Sequence, residues 1–264
     1  MTTPDAHSGE GRPGRRLVSA VGIPVAGTGT VVGLWWAAVD VFDVPAYLAP
    51  TPPAVAAQLA RMRGPLLTNA LVTLTEAVAG FGLAVATAVA LGILLAVSGH
   101  FERALRPTLL ILTAIPKPVI APLLIAVGGF GPGPKIVLVW LMCMFPIAQA
   151  TTRGLTATPA DLIELARSLT ASRAQTFVKI RLPAAIPHIF TGLKTALPLA
   201  LIGATVAELF GAVAGLGYLI LNAGTDTALA GAAAAVLAGM SITLNHLLTT
   251  AERHLTPWIR HTHA

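Results

Sequence analysis

Charge is what this sequence has least of. Only 11% of its 264 residues are Asp, Glu, Lys or Arg, while 55% are hydrophobic. A soluble domain of this length would have too little polar surface to cover so many apolar side chains, and lipid is the natural solvent for the chain. Cysteine is nearly absent as well. Cys143 stands alone near Trp140 and Met142, which excludes an internal disulfide or a multi-cysteine metal site and marks it as a small core residue. A phosphate loop is missing: in the nearest approach, Gly128-Gly129-Phe130-Gly131-Pro132-Gly133-Pro134-Lys135, Pro134 occupies the lysine position and no Ser or Thr follows Lys135. That stretch reads as an external turn. No His, Asp or Glu residues converge as catalytic groups or metal ligands would, which argues against a membrane-embedded enzyme. No repeat relates the two halves and intramembrane charge is sparse, which argues against the alternative of an ATP-independent secondary transporter or channel. The net charge of +6 comes without an aromatic-interleaved basic patch, so no nucleic-acid partner is expected.

What is present is a series of long apolar runs. Crossing a hydrocarbon core of about 30 Å takes roughly 20 helical residues, and six runs qualify: 17–39, 77–97, 108–127, 136–152, 189–212 and 229–250. The first follows Arg12, Arg15 and Arg16 but is too long for a signal peptide and lacks a convincing cleavage site, so it reads as a retained span. The expected fold is therefore an all-α membrane protein of about six transmembrane helices, with tails at 1–16 and 253–264 and a transmembrane domain over 17–252. Lys and Arg fix its orientation. Segments assigned to the cytoplasm hold the N-terminal arginines, Arg103, Arg106, Arg153, Arg167, Arg173, Lys179, Arg181, Arg253 and Arg260, against Arg61, Arg63 and Lys135 outside. Both termini are thus expected in the cytoplasm. Between the first two spans, Pro45 to Pro53 precede a short amphipathic stretch, Ala54 to Met62, expected to lie along the outer surface. Pro116, Pro118 and Pro122 interrupt the third run, which should be kinked or partly unwound and sheltered from lipid.

The long interval between the fourth and fifth spans, 153–188, carries most of the information. Thr158 is placed to cap a helix with Pro159 at its first position and Asp161 in its first turn. Leu162, Leu165, Ala166 and Leu169 then share a face, and a second short helix, Ala174 to Ile180, should stop at Pro183. This cytoplasmic helix-turn-helix has two readings from periodicity alone: an amphipathic loop packed on the membrane surface, or a rigid knob that docks in a cleft of another protein.

Glu164-Leu165-Ala166 and Ile180-Arg181-Leu182-Pro183 resemble the EAA loop of permeases from binding-protein-dependent ATP-binding-cassette importers. The family pattern is Glu-Ala-Ala, three residues, Gly, nine residues, then Ile-x-Leu-Pro, and the spacing matches throughout. Leu165 replaces an Ala. Thr170, followed by Ala171, stands where the family has Gly, and a β-branched residue takes positive φ only with strain, so the resemblance leaves open a different turn or altered coupling. Further segments, including Ala114-Ile115-Pro116-Lys117-Pro118, Ala207-Glu208-Leu209-Phe210-Gly211 and Gly215-Leu216-Gly217-Tyr218, are similar to the nitrate, sulfonate and taurine branch. The likeness covers nearly the whole chain after residue 45. Glu76 departs from the branch, which usually carries a basic residue there.

The resemblance implies a homodimer of permeases in a bacterial inner membrane, joined by two ATP-binding-cassette ATPase subunits and an extracytoplasmic solute-binding protein. ATP and Mg would be bound by the ATPases, leaving this chain without a cofactor. The coupling loop would use Glu164, Leu165, Ala166, Thr170, Ala171, Ile180, Leu182 and Pro183. For the pathway or gate, polar groups within the membrane are the candidates. Glu208 leads them, with two readings: a gate, or, more strongly, a buried hydrogen bond that fixes the turn from Gly211 to Gly217. Lys117, beside Pro116, either attracts an anion such as a sulfonate or nitrate or snorkels to the interface. Asn245 and His246 read as interhelical hydrogen-bonding groups, and His261 and His263 as a solvated tail.

Overall fold

A computed structural model describes residues 13–256; the tail residues beyond them, with His261 and His263, lie outside the described part. Every regular element among the described residues is a helix. In order it forms α1 (Pro13–Val41), α2 (Pro52–Arg61), α3 (Arg63–Val97), α4 (Gly99–Ala114), a 3-10 turn (Lys117–Ile120), α5 (Ala121–Gly128), α6 (Pro132–Thr156), α7 (Ala160–Ser168), α8 (Arg173–Thr176), α9 (Leu182–Leu209), α10 (Leu216–Asn222) and α11 (Thr227–Leu255). Four stretches are long and apolar enough to cross a membrane: Arg63–Val97, Pro132–Thr156, Arg173–Leu209 and Thr227–Leu255. The expected first span falls within α1, whose helix already begins inside the expected tail, at Pro13.

The centre of the bundle is α6, packed against α9 on one side and α3 on the other. Small residues make this possible. The buried stripe of α3 is Ala70, Thr73, Ala77, Gly80, Ala84, Ala88 and Gly92, recurring every three or four positions, whereas Leu67, Leu71, Val78 and Leu94 point outward. That is the arrangement expected in lipid, where bulk on the outside costs nothing and close backbone approach supplies the packing. At Gly92 an added Cβ would stand 2.5 Å from the Cβ of Thr151 and 2.9 Å from the carbonyl of Ala148. Trp140 donates its indole N–H to Thr87 at 2.8 Å, and Cys143 its thiol to the carbonyl of Ala196 at 3.3 Å, so the three helices are also tied by hydrogen bonds. α11 rests on α9, α10 and α2, and α1 touches chiefly α2.

Two boundaries differ from the sequence reading. The second span was expected from 77, but α3 starts at Arg63, directly after α2, with Met62 closing one helix and opening the next. Asn69, Thr73 and Glu76, which read as loop, form the polar inner face of the same helix. The third run breaks as its prolines require: α4 ends at Ala114, Ile115 and Pro116 are extended, and the chain resumes as a 3-10 turn. Within a single chain, however, Pro116, Pro118, Val119 and Leu123 are exposed, so the expected shelter is not supplied by this chain's own helices.

Gly82 lies on the same helix as Gly92 but meets nothing within 4 Å. Gly92→Val is therefore expected to cost about 1–3 kcal/mol through overpacking, read as a lower unfolding temperature in detergent, while Gly82→Val leaves that temperature nearly unchanged.

Candidate functional site

The polar residues gather at the two ends of the α3–α6–α9 unit. At one end is the loop between α6 and α9. α7 is a free-standing helix of nine residues, with Asp161 in its first turn and Arg167 in its last. Of the face expected from the sequence, only Ala166 is buried; Leu162, Leu165 and Leu169 are exposed, as is Glu164. Glu164, Arg167 and Arg181 line one open cleft on this surface. An apolar stripe presented to solvent beside charge, uncovered by its own chain, is the form of a docking element.

The N-terminus of α7 is not capped as expected. Pro159 occupies the cap position without a side-chain hydrogen bond. Thr158 is buried, and its hydroxyl has no partner among the described residues. Having no N–H, Pro159 takes the extended φ and ψ of a cap residue and leaves Thr158 one position too early to reach the first turn.

The C-terminus of α7 keeps the turn geometry that a glycine would favour. Thr170 has φ 56°, its N–H donates to the carbonyl of Arg167 and that of Ala171 to Ala166, each at 2.9 Å. These two bonds are the Schellman pattern, with Thr170 in the left-handed position at a steric cost of about 1–2 kcal/mol.

After this turn, Ser172 opens the next helix with a reciprocal capping box: its hydroxyl accepts from the N–H of Gln175, and its own N–H donates to the Gln175 side chain. The sequence Ser-Arg-Ala-Gln carries that signal, although the helix was expected to start at Ala174. Pro183 does not stop the helix. The N–H of Leu182 donates to the carbonyl of Phe177, five residues back. This single wide turn absorbs the donor that Pro183 lacks, so the helix runs unbroken from Arg173 to Leu209. Ile180, Leu182 and Pro183 are half-buried where it leaves the loop.

At the opposite end, Glu208 is 1% exposed and its carboxylate holds two elements together. One oxygen accepts from the hydroxyl of Thr73 on α3 at 2.7 Å, the other from the N–H of Gly217 at 2.6 Å. Thr73 accepts in turn from the N–H of Leu216 at 2.9 Å, and Asn69 from that of Gly215 at 2.7 Å. Gly215 has φ 120°, and a Cβ there would run into the Glu208 carboxylate. Three successive N–H groups at the start of α10, those of its cap Gly215 and of Leu216 and Gly217, are thus satisfied by side chains of α3 and α9. Glu208 stands here as a structural pin of that turn.

Beside it, Lys135 and Glu76 form an ion pair at 2.6 Å, both almost fully buried. Lys135 was expected in an external loop; it lies instead in the first turn of α6, and it supplies the partner that Glu76 needs. A second pair escaped the sequence reading. Lys194 of α9 and Glu252 of α11 are joined by an ion pair that is partly buried, and Lys194 should have drawn notice by the same test that picked out Lys117, as a charge inside an apolar run. Lys117 is half-buried in the broken segment, next to the exposed Pro116 and outside the hydrogen-bond network of Glu208. Asn245 and His246 lie on α11, and among the described residues no group of His, Cys, Asp or Glu could hold a metal ion.

Glu208→Ala is expected to leave the Gly217 N–H unpaired, at about 1–3 kcal/mol for a buried group, and the Thr73 hydroxyl with only its 3.2 Å bond to the carbonyl of Asn69 as donor. In hydrogen exchange read by mass spectrometry, the peptide spanning Gly215 to Gly217 should exchange at least about tenfold faster than in the parent, while peptides of α7 stay unchanged.

Comparison with known proteins fits these features. Residues 88–261 match the family described as binding-protein-dependent transport system inner membrane component. The riboflavin transport system permease protein RibX of Chloroflexus aurantiacus is 37% identical over 243 residues, covering 90% of each chain. The taurine transport system permease protein TauC of Escherichia coli is 29% identical over 253 residues, covering 92% of this chain and 91% of that one. Among solved structures, the permease fold recurs in an inward-facing conformation of the MetNI methionine ABC transporter, with a TM-score of 0.62 and 21% identity, covering 75% of this chain and 98% of the other. A helical chain without a phosphate loop, carrying an exposed helix between two packed spans and matching this family over most of its length, belongs to the inner-membrane permease components of binding-protein-dependent ABC importers.

Proposed function

We propose that two copies of this chain form the translocation pathway for a small anionic solute of the sulfonate, nitrate or taurine type. An external binding protein delivers the solute, and ATPase subunits that bind ATP and Mg drive its passage through residues 160–183. Both termini lie in the cytoplasm, on the side of α7. The observation that carries this reading is α7 itself, a short helix with Leu162, Leu165 and Leu169 open to solvent and Glu164 beside them. Its turn is fixed by the Schellman bonds at Thr170 and Ala171, so the knob is rigid. Ile180, Leu182 and Pro183 form the neck through which it joins α9, and a push on α7 passes directly into a transmembrane helix.

A second copy accounts for the exposed broken segment. Non-helical backbone at membrane depth is tolerated where protein or a water-filled cavity covers it, and within one chain Pro116 and Pro118 are exposed and Lys117 is only half-buried. Lys117 in that position places a cation near the line of contact between copies, which suits an anionic solute.

Glu164→Arg places a cation beside Arg167 and Arg181 in the docking cleft. Affinity capture of the tagged chain from mild detergent is expected to recover an ATPase subunit with the parent, and at least about tenfold less with Glu164→Arg, the loss that corresponds to about 1.4 kcal/mol. Recovery of no ATPase with either, together with solute flux in ATP-free vesicles, would move the assignment to a secondary transporter.

A further inference from the structure

Away from both polar ends already described, a groove opens between α6 and α9 on their face turned from α3. On α6 it is lined by Pro146, Gln149, Ala150 and Arg153, spaced i, i+3, i+4, i+7 as one face of a helix requires. α9 contributes His188, Thr191, Gly192 and Thr195 in the same spacing. The two faces meet closely because Gly154 and Gly192 sit at the crossing; a Cβ on Gly154 would lie 2.7 Å from the Cβ of His188. The groove is open to one side and holds about 310 Å³, the lower end of the range for small-molecule sites. It begins beside the loop-bearing end, at Arg153 and His188, and reaches about 10 Å toward the middle of the span at Pro146 and Thr195, seven residues at 1.5 Å each.

Its chemistry is one-sided. Arg153 brings a guanidinium with no carboxylate partner among the described residues, His188 and Gln149 add N–H donors, and no lining residue is acidic. Thr191 and Thr195 donate to the carbonyls of Pro187 and Thr191, bonds that their hydroxyls give up by a single rotation to face a ligand. Polar side chains on the outward face of membrane helices are costly against lipid and face a cavity or a partner instead. A planar guanidinium above a row of donors is the recognition chemistry of oxyanions.

We propose that this α6–α9 groove is an aqueous, oxyanion-binding stretch of the translocation pathway, with Arg153 as its principal ligand and Gln149, His188 and Thr195 as supporting donors. Sulfonate or nitrate groups are the ligand class. The inference rests on reading the chain as an importer's permease and deepens it by giving the solute's charge a place to be met. It moves the pathway away from Glu208, whose two carboxylate oxygens are committed to Thr73 on α3 and to the N–H of Gly217.

The test uses the assembled transporter in membrane vesicles, with single cysteines introduced at Thr195 and, as an exposed reference, at Ser172; the native Cys143 is buried. Thr195→Cys is expected to react with a water-soluble anionic methanethiosulfonate faster than with its cationic counterpart. Adding Arg153→Gln should lower that anion-to-cation ratio at least about threefold, the opposite effects on the two probes of one charge roughly 10 Å away in a largely aqueous setting. Methanesulfonate or nitrate should slow labelling in the Arg153 protein and have no effect with Arg153→Gln. Labelling of Ser172→Cys but not Thr195→Cys would mean that lipid or a second chain fills the groove. A ratio indifferent to Arg153, or labelling that neither anion slows, would remove the oxyanion site. Each of these results overturns the inference. Capture of the ATPase by the parent chain is read separately, so a failed groove remains distinguishable from a failed importer.

Discussion

The close approach of α3, α6 and α9 is the constraint from which the other features follow. Leu, Val and Phe would hold these helices apart, and in lipid nothing comparable to the hydrophobic effect would draw them together again. Gly80, Gly92, Gly154 and Gly192 remove that bulk at the crossings, so backbone meets side chain directly and dispersion supplies the cohesion. With the helices this close, short side chains can bridge them. Thr73 reaches Glu208 and Thr152 reaches the carbonyl of Gly92, bonds that a wider spacing would forbid. The buried Lys135–Glu76 pair belongs to the same logic, because two charges removed from water are tolerable only in contact.

That packed unit positions the two working ends. The helix from Arg173 to Leu209 is continuous, through a wide turn at 177–181 and over three prolines, Pro183, Pro187 and Pro198. One end carries the loop with α7, and the other carries Glu208 and the pinned turn. Around the unit, α1, the broken segment from α4 to α5 and much of α11 present apolar side chains outward. In such a fold the inner helices set geometry, and the outer ones leave much of their apolar surface uncovered by the chain itself.

The sequence makes the class of fold and the loop legible for a simple reason: both rest on long or fixed patterns. A run of apolar residues announces a span whatever its neighbours do, and the polar interval 153–188 stands out against the apolar runs on either side of it. The misread positions were decided by tertiary context. Asn69, Thr73 and Glu76 look like loop because they are polar, yet their polarity serves partners on α6, α9 and the turn before α10, all distant in sequence. Pro183 looks like a stop, but the wide turn before it accommodates the missing donor and the helix continues. Thr158 looks like a cap but sits one position early. The strain expected at Thr170 is present as a positive φ, because the bonds at Arg167 and Ala166 outweigh it.

The central claim is that α7, α9 and the turn before α10 belong to one rigid unit within each chain, so that driving the loop moves the whole unit. Pulsed electron spin resonance on the assembled transporter measures this directly, with spin labels on Ser172→Cys and Val213→Cys of a single chain, both at exposed positions. The distance within the chain is expected to stay constant between the nucleotide-free and ATP-trapped states while distances between chains change. A shift within the chain of about 5 Å, one helical turn, would contradict a rigid unit and place the motion inside α9.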